Sequence, residues 1–267
     1  MSNEETISQL ALNRKSLARF GDGEMMLILQ TGDLSFQQRN PELSRRLNEV
    51  LCSKQEGFLV GLPRIFSDQD LSERKESSAQ FWKDNLLLTR HEWYKRIDFS
   101  WHYASSTFTR NYLTLRDQST SSQYFTSVKS IWNKRKLLII EGQNSRVGVG
   151  NSLFSNASNV KRILCPSKNA YFVYSQILEA ALNIPKDYLV LIALGPTATV
   201  LAYDLWKAGY QAIDIGHLDV EFEWFLRGYS KLEQVPGKWV AEAGGMSKDQ
   251  LSQDQQYLSQ IIDTIDL

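Results

Sequence analysis

The stretch that decides the fold is residues 188–215, YLVLIALGPTATVLAYDLWKAGYQAIDI. It opens with an apolar run at residues 188–194, continues into an amphipathic pattern at residues 197–207, and closes with a second apolar run at residues 210–215. A short buried strand, a helix and another strand in this order are typical of a βαβ unit with parallel strands. This stretch therefore predicts an α/β protein.

The same alternation continues on both sides of this unit. Residues 136–141 (KLLIIE) and 159–165 (NVKRILC) predict two more buried strands, and residues 16–20 and 57–61 predict strands in the first half. Further helices are predicted from about Glu24 and at residues 42–51, 72–88 and 171–182. Because crossovers between parallel strands are right-handed, every strand-to-helix loop should lie at one edge of the sheet.

The chain shows no internal repeat and no low-complexity linker, so its 267 residues predict a single domain. Residues 93–123 are aromatic and rich in Ser and Thr without clear periodicity, and they predict an insertion over the site. A helix at about residues 249–264 is expected to close the chain. The predicted fold is a mostly parallel sheet flanked by helices, with a helical and aromatic insertion in the first half.

Composition excludes several functional classes. Lys plus Arg and Asp plus Glu each number 30, so the chain is formally neutral, and it has no dense basic run. Nucleic acid is therefore not expected as a partner. Cys52 and Cys165 lie far apart in apolar surroundings, which predicts two buried thiols in a reducing compartment. With neither a signal peptide nor a membrane-spanning run in the sequence, we expect a cytoplasmic protein.

The loop after the first predicted strand, Gly21-Asp22-Gly23-Glu24, offers two carboxylates separated by one glycine. Both could turn toward one hard cation, Mg²⁺ or Mn²⁺, and the glycines permit a tight backbone. The alternative is that Asp22 caps the following helix and Glu24 interacts favourably with its dipole. The spacing alone favours capping, because Asp-x-Glu occurs again at residues 219–221.

The other loops at this edge are also polar. Residues 142–151 (GQNSRVGVGN) resemble a phosphate-binding turn but match neither a Walker loop nor a dinucleotide fingerprint, since Leu153 occupies the place of its third small residue. Residues 195–199 (GPTAT) could seat an anion or simply cap a helix. In residues 166–171 (PSKNAY), Lys168 and Asn169 could touch a ligand, although a plain turn is the commoner use of such a stretch.

The loop after the last strand of the βαβ unit, residues 216–223 (GHLDVEFE), concentrates four polar groups. If a helix begins near Asp219, then Asp219 and Glu223 share one of its faces, and His217 precedes it. A histidine there can ligate a metal and a nearby carboxylate can act as a base. The alternative is that acidic residues decorate a helix N-terminus and His217 is merely hydrogen-bonded.

Taken together, five ordered segments resemble the GT-D type glycosyltransferases, a family that includes a domain of streptococcal enzymes extending O-glycans on serine-rich adhesins. The segments are ARFGDGE (18–24), EGQNSRVGVGNSLF (141–154), CPSKNAY (165–171), LGPTATVLAYDL (194–205) and DIGHLDVEFEWF (214–225), and the resemblance spans about residues 17–245. It implies a Rossmann-like nucleotide-binding fold, a UDP-sugar donor, and Mn²⁺ or Mg²⁺ held through Asp22 and Glu24, with His217 completing the metal shell or holding the diphosphate.

With the resemblance as premise, the motif loops supply candidates for the nucleotide sugar: Arg19, Gly21, Gly23, Asn144, Ser145, Arg146, Gly148, Gly150, Asn151, Lys168, Asn169, Pro196, Thr197 and Thr199. The implied activity is transfer of a hexose, glucose or galactose, to a glycan or glycopeptide acceptor on a bacterial surface glycoprotein or polysaccharide. A single displacement at the anomeric carbon needs a base for the acceptor hydroxyl, and Glu223 is our first candidate with Asp219 second. Assembly as a homo-oligomer or in a glycosyltransferase complex is left open.

Two other functional classes remain to be separated. A Rossmann enzyme using NAD or S-adenosylmethionine would need a complete glycine fingerprint and an acidic partner at the expected distance, and the sequence has neither. A non-catalytic glycan-binding module would need neither metal nor nucleotide.

Overall fold

The computed structural model describes residues 1–246 and 253–267. Its strands are β1 (Ser16–Arg19), β2 (Phe58–Leu62), β3 (Ala104–Ser105), β4 (Lys136–Gly142), β5 (Asn159–Cys165), β6 (Leu189–Ala193), β7 (Gln211–Asp214), β8 (Trp239–Val240), β9 (Gly245–Met246) and β10 (Ile261–Thr264). Its α-helices are α1 (Asn3–Ala11), α2 (Asp22–Leu29), α3 (Pro41–Leu51), α4 (Asp68–Ser72), α5 (Glu76–Tyr94), α6 (Ser121–Lys129), α7 (Tyr174–Leu182), α8 (Pro196–Lys207), α9 (Leu218–Arg227) and α10 (Gln255–Gln260).

The described sheet has the order β10-β5-β4-β6-β7-β1-β2-β3, and each neighbouring pair is parallel. Strand β4 continues to β5 on one side, whereas β6 lies on its other side. The direction of the chain along the sheet therefore reverses beside β4. Ligands of open α/β sheets bind beyond the carboxyl ends of the strands at such a reversal. The α/β architecture predicted from the sequence is confirmed.

The apolar runs of the sequence form strands whose two faces are both covered by helices. In β4, Leu138 and Ile140 belong to one hydrophobic cluster, while Leu137 and Ile139 belong to the other. Successive side chains of a strand point to opposite faces, so a strand covered on both sides is apolar throughout. Helices α2, α3, α7 and α8 contribute to the first cluster, and α1, α6 and α9 contribute to the second.

The predicted helix at residues 72–88 is wrong in its limits. Helix α4 ends at Ser72 and α5 runs from Glu76 to Tyr94. The backbone between them pairs with a later segment instead: Lys75 N donates to Thr114 O, and Arg116 N donates to Glu73 O. Such tertiary pairing interrupts a helical pattern that local propensity alone would continue.

Two further expectations need correction. The helix predicted at residues 249–264 begins among residues outside the described ones, and within them only Gln255–Gln260 is helical. Ile261–Thr264 forms the edge strand β10 against β5, because pairing with an open sheet edge satisfies its backbone groups. Cys165 is buried as predicted, but Cys52 follows the end of α3 and is exposed.

Residues 93–123 contain β3 and a short 3-10 turn (Ser106–Thr109), and Ser106, Thr107 and Arg110 of this segment lie at the cleft described below. Within the described part of the chain, no helix combines the length and apolar character needed to cross a membrane.

Candidate functional site

A cleft of about 310 Å³ opens at the carboxyl edge of the sheet. All five polar loops singled out in the sequence contribute to its wall, as the parallel topology predicts. From these loops the cleft is lined by Gly21, Asp22, Gly23, Glu24, Gly142, Ser145, Val147, Pro166, Ser167, Ala170, Gly195, Gly216 and His217. The loops therefore form one site rather than five separate turns.

The Gly21–Glu24 turn is both a helix cap and a cleft wall. Glu24 Oε2 accepts a hydrogen bond from Gly21 N at 2.8 Å, which caps the first turn of α2. The capping alternative is thus realised by Glu24, with Asp22 at the first position of the helix. Both carboxyl groups nevertheless line the cleft, so capping does not exclude a role in binding.

Burial and mutual repulsion make these carboxyl groups costly to ionise. Burial, reinforced by the charge of Asp214, raises the pKa of Glu24 to about 7. Burial also raises the pKa of Asp22, and it raises that of Asp214 even though Arg19 opposes the shift. A cation placed among these three groups would relieve their repulsion. The chemistry of this wall is therefore suited to a divalent metal.

The predicted metal ligands Asp22, Glu24 and His217 do not form a closed site. Among residues 1–246 and 253–267, no group of three or more His, Cys, Asp or Glu side chains is arranged to hold a metal ion. Mg²⁺ bound with a nucleotide is commonly held by one or two carboxylates together with phosphate oxygens of the ligand. Asp22 and Glu24 fit that second arrangement, and metal binding stays a prediction.

His217 contacts a guanidinium group rather than the carboxylates of the turn. Arg110 Nη2 lies 3.0 Å from His217 Nδ1. Because arginine has only donors, Nδ1 must accept, which leaves the proton of the neutral ring on Nε2. Burial, together with the charge of Arg110, lowers the pKa of His217 to about 3. A neutral Nε2–H beside a guanidinium is a poor metal ligand, and the arrangement suits an anion such as a diphosphate.

Arg110 also forms an ion pair with Glu242 across the mouth of the cleft. Its Nη2 and Nη1 donate to Glu242 Oε1 and Oε2 at 2.6 and 3.1 Å. Burial opposes ionisation of Glu242, but Arg110 outweighs it and lowers the pKa of this carboxyl group to about 2. Glu221, fully buried, holds the turn that carries Arg110 by accepting from the backbone N of Tyr112 and Leu113.

Arg19 lines the cleft but is committed to the protein itself. Its guanidinium pairs with Asp214 at 3.1 Å and donates to Ser106 O and Thr109 Oγ1. Gly216 makes this possible, because a Cβ there would lie 1.7 Å from Arg19 Nη2. Arg19 therefore ties β1, β7 and the inserted segment together, and its contact with the nucleotide stays a prediction.

The glycine-rich loop at residues 142–151 is organised by carboxylates of α9. Gly148 N donates to Asp219 Oδ1 at 2.8 Å, and Asn151 Nδ2 donates to both Asp219 and Glu223 at 2.7 Å. Gly148 N and the Asn151 amide are thus already bonded to carboxylates and are not free to bind a phosphate. This removes support for a phosphate-binding or dinucleotide-binding turn at residues 142–151. Arg146, Gly150 and Asn144 stand apart from the cleft as well: Arg146 Nη1 donates to Gly237 O, Gly150 takes a positive φ of 76°, and Asn144 O accepts from Trp239 N.

The two predicted bases lie in the same buried network. Lys238 Nζ is 2.6 Å from Asp219 Oδ2 and 3.2 Å from Glu223 Oε1, and all three side chains are at most 5 % exposed. Arg227 also donates to Glu223. As predicted, Asp219 and Glu223 share one face of α9, but neither lines the cleft. Their geometry fits support of the loop and the segment carrying Lys238, and it does not fit removal of an acceptor proton.

The remaining predicted nucleotide contacts do not line the cleft: Lys168, Asn169, Pro196, Thr197 and Thr199. Asn169 Oδ1 accepts from Gln38 N, and Lys168 lies over the Trp239 ring at 5.9 Å. Pro196, Thr197 and Thr199 are buried in the first turn of α8, where Thr199 Oγ1 donates to Arg19 O. From these two loops Pro166, Ser167, Ala170 and Gly195 reach the cleft, and Gly195 packs against the Phe36 ring.

Sequence reasoning missed several residues of the cleft. They are Phe36, Trp82, Arg110, Asp214, Trp239 and Glu242. The sequence signal for Arg110 was its place in the segment expected over the site. Asp214 ends a predicted strand directly before a motif loop. The other four come from segments whose path over the cleft depends on tertiary packing.

Comparison with known proteins covers nearly the same residues as the resemblance found in the sequence. A model of the family described as "Glycosyltransferase GT-D fold" matches residues 17–243. The chain is 39 % identical over 264 residues to a probable glycosyl transferase Gly of Streptococcus gordonii, covering 98 % of this chain and 38 % of that protein. It is 34 % identical over 260 residues to glycosyltransferase GlyD of Streptococcus pneumoniae serotype 4, covering 97 % and 31 %. The chain thus spans about a third of the length of these two relatives.

Solved structures agree with the sequence comparison. One, described as a distinct glycosyltransferase fold of the domain of unknown function 1792, superposes with a TM-score of 0.93 at 38 % identity, covering 99 % of this chain and 95 % of that chain. Another, described as a new glycosyltransferase (DUF1792) from Streptococcus sanguinis, has a TM-score of 0.93 at 37 % identity, covering 99 % and 98 %.

Proposed function

This chain belongs to the GT-D fold family of glycosyltransferases, and from that premise we propose that it transfers a hexose from a UDP-sugar to a glycan acceptor with the help of Mn²⁺ or Mg²⁺. The observation that carries the proposal is the composition of the cleft. Asp22, Glu24 and Asp214 line the same cleft as Arg110 and His217. This set of groups fits a nucleotide diphosphate that a cation would bridge to the carboxylates and that would accept hydrogen bonds from Arg110 and His217.

Charge supports the need for a cation. Four carboxyl groups and two guanidinium groups line the cleft, an excess of two negative charges when all are ionised. A diphosphate alone would be repelled by such a wall. When bound, the metal would supply charge neutralisation of the diphosphate and stabilise it as a leaving group. The residues that fit it are Asp22 and Glu24.

The remaining contributions come from the protein. Arg110 and the Nε2–H of His217 donate toward the diphosphate, where negative charge grows as the bond between the anomeric carbon and the diphosphate oxygen breaks. Phe36, Trp82 and Trp239 line the cleft with aromatic faces against which the uracil or the sugar can pack. Buried Asp219, Glu223 and Lys238 hold the loop below Trp239 in place.

We further propose that the acceptor is a glycan or glycopeptide of a bacterial surface glycoprotein or polysaccharide. The compartment proposed is the cytoplasm, in line with two cysteines that form no disulfide. The transferred sugar is proposed to be glucose or galactose.

The test is a donor screen. UDP-glucose, UDP-galactose and their N-acetyl counterparts are incubated with the protein and Mn²⁺, with and without glycopeptide acceptors, and UDP release is followed. We expect release from at least one UDP-sugar, stopped by EDTA and by Asp22→Asn. The matched control is Asp84→Asn, which changes an exposed aspartate of α5 outside the cleft. UDP release that persists at full rate in Asp22→Asn would contradict the proposal.

A further inference from the structure

Strand order divides the lining of the cleft into two ends. At the β4–β5 end, Gly142 closes β4 and Pro166 follows β5; at the β2–β3 end, Pro63 follows β2 and Ser106 follows β3. Strands β6, β7 and β1 separate β4 from β2, so these two strands lie about 19 Å apart at the usual strand spacing. The Gly21–Glu24 turn follows β1 and therefore lies between the two ends.

Two aromatic side chains of the cleft belong to its β4–β5 end. Trp239 N donates to Asn144 O in the loop after β4, and Lys168 of the loop after β5 lies over the Trp239 ring at 5.9 Å. Phe36 O accepts a hydrogen bond from Asn169 N of that second loop. Both rings thus lie beside the reversal of the chain at β4, where doubly wound α/β folds bind nucleotides.

Trp82 belongs to the β2–β3 end. It lies on α5, in the connection between these two strands, and it lines the cleft while packing against the first hydrophobic cluster. Phe81, which is 51 % exposed, meets the Trp82 ring edge-to-face, with ring centroids 5.4 Å apart and planes at 76°. Because the protein already holds this ring in place, a ligand that packs on its open surface has little side-chain ordering to pay in entropy.

The other residues that the β2–β3 connection and the segment after β3 bring to the cleft suit a neutral ligand that carries hydroxyl groups. They are Pro63, Ser106, Thr107 and Arg110. Arg110 is the charged member of this set, and its guanidinium group is directed to Glu242 and His217. An indole face beside hydroxyl groups fits a sugar ring, which has a face of C–H groups and a rim of hydroxyls.

We propose that the two ends divide the substrates: the nucleoside of the donor binds at the β4–β5 end, and a sugar ring of the acceptor packs on Trp82 at the β2–β3 end. The inference rests on the proposed function. The order nucleoside, diphosphate and hexose of a UDP-sugar then runs along the cleft toward the acceptor, with the diphosphate at the Gly21–Glu24 turn. Phe81 extends the aromatic surface toward solvent, where the next sugar of a longer acceptor can pack.

The experiment compares Trp82→Leu with Trp239→Leu. UDP affinity is measured by calorimetry with Mn²⁺, and KM is measured for methyl glycosides of glucose, galactose and N-acetylglucosamine as acceptors. Trp82→Leu should raise the acceptor KM about tenfold and change UDP affinity by less than about twofold, because leucine lacks the flat ring face. Trp239→Leu should weaken UDP about tenfold and leave the acceptor KM nearly unchanged. Trp82→Phe should restore most acceptor binding, and Phe99→Leu, at an exposed aromatic outside the cleft, is the matched control.

Hydroxyl-radical footprinting of the wild type, read by mass spectrometry, gives a second measurement that does not depend on the folding of a variant. UDP with Mn²⁺ should protect Trp239, and further addition of a methyl glycoside should protect Trp82. Protection of Trp82 by UDP alone, an unchanged acceptor KM in folded Trp82→Leu, or a wild type that hydrolyses the donor but transfers to none of the glycosides would each overturn the inference. If the wild type neither binds UDP nor releases it from a UDP-sugar, the proposed function fails instead, so the two failures are distinguishable.

Discussion

Replacing Glu24 with glutamine separates the charge of this side chain from its capping role. The carboxyl group caps Gly21 N and lies among Asp22 and Asp214, where burial first and the charge of Asp214 second raise its pKa to about 7, against an ordinary value of 4.5. Glutamine keeps an oxygen that can accept from Gly21 N but carries no charge. Glu24→Gln should therefore remove repulsion while preserving the start of α2.

The sign and size of the stability change in Glu24→Gln follow from the linkage between proton binding and folding. Because the folded-state pKa is raised, the contribution of Glu24 to stability is fully present below pH 4.5 and is lost as the pH rises through 7. At about 1.4 kcal/mol per pKa unit, the difference between 4.5 and about 7 corresponds to about 3.5 kcal/mol, which is an upper limit because Glu24 is only partly buried. In EDTA at pH 8, Glu24→Gln should be more stable than the wild type by up to that amount, and near pH 4.5 the difference should vanish.

The assay is urea unfolding at several pH values, with EDTA and then with Mn²⁺. Mn²⁺ should stabilise the wild type at pH 8 and leave Glu24→Gln nearly unchanged, because the variant lacks one of the two ligands. Glu5→Gln is the matched control, since Glu5 occupies the same capping position in α1 and is exposed outside the cleft. If Glu24→Gln is no more stable than the wild type at pH 8, the reasoning from carboxylate repulsion is refuted.

Two further substitutions test the surroundings of the site. Gly216→Ala should lower the free energy of unfolding by about 3 kcal/mol more than Gly228→Ala, because only the first displaces Arg19 and leaves buried Asp214 without its partner; equal losses in urea unfolding would show that backbone strain alone is responsible. Glu223→Gln should lower stability because Lys238 loses one of its two anions, while transfer per folded molecule should fall by less than about tenfold; a loss of about 10²-fold or more with the fold intact would return the role of base to Glu223.

The sheet of the second half was predictable because its strands are covered on both faces. Residues 136–141 and 159–165 read as continuous apolar runs for that reason, and the structure has strands at Lys136–Gly142 and Asn159–Cys165. The shared edge of the loops followed from parallel topology alone. The helices predicted at residues 72–88 and 249–264 were wrong in their limits because tertiary pairing decides the local structure there. The break before α5 and the strand at Ile261–Thr264 both depend on partners distant in sequence.

The candidate site was predictable at the level of loops and less so for individual side chains. A carboxylate beside glycines can serve a ligand or the backbone, and residue spacing does not distinguish the two. Asp219 accepts hydrogen bonds from Gly148 N and Asn151, Glu223 accepts from Asn151, and Lys238 folds in beside both carboxylates. Arg110 comes from a segment without periodicity, so its position in the same cleft as the Gly21–Glu24 turn could be seen only in the folded chain.

The central claim, that the cleft joins a diphosphate to Asp22 and Glu24 through a divalent cation, is tested most directly by linkage between UDP and Mn²⁺. Each ligand should raise the affinity of the other, so the shift in melting temperature with both should exceed the sum of the separate shifts. Uridine should lose most of this synergy, and Asp22→Asn should lose it with UDP. Purely additive shifts in the wild type would mean that metal and diphosphate do not share this site, which would contradict the account.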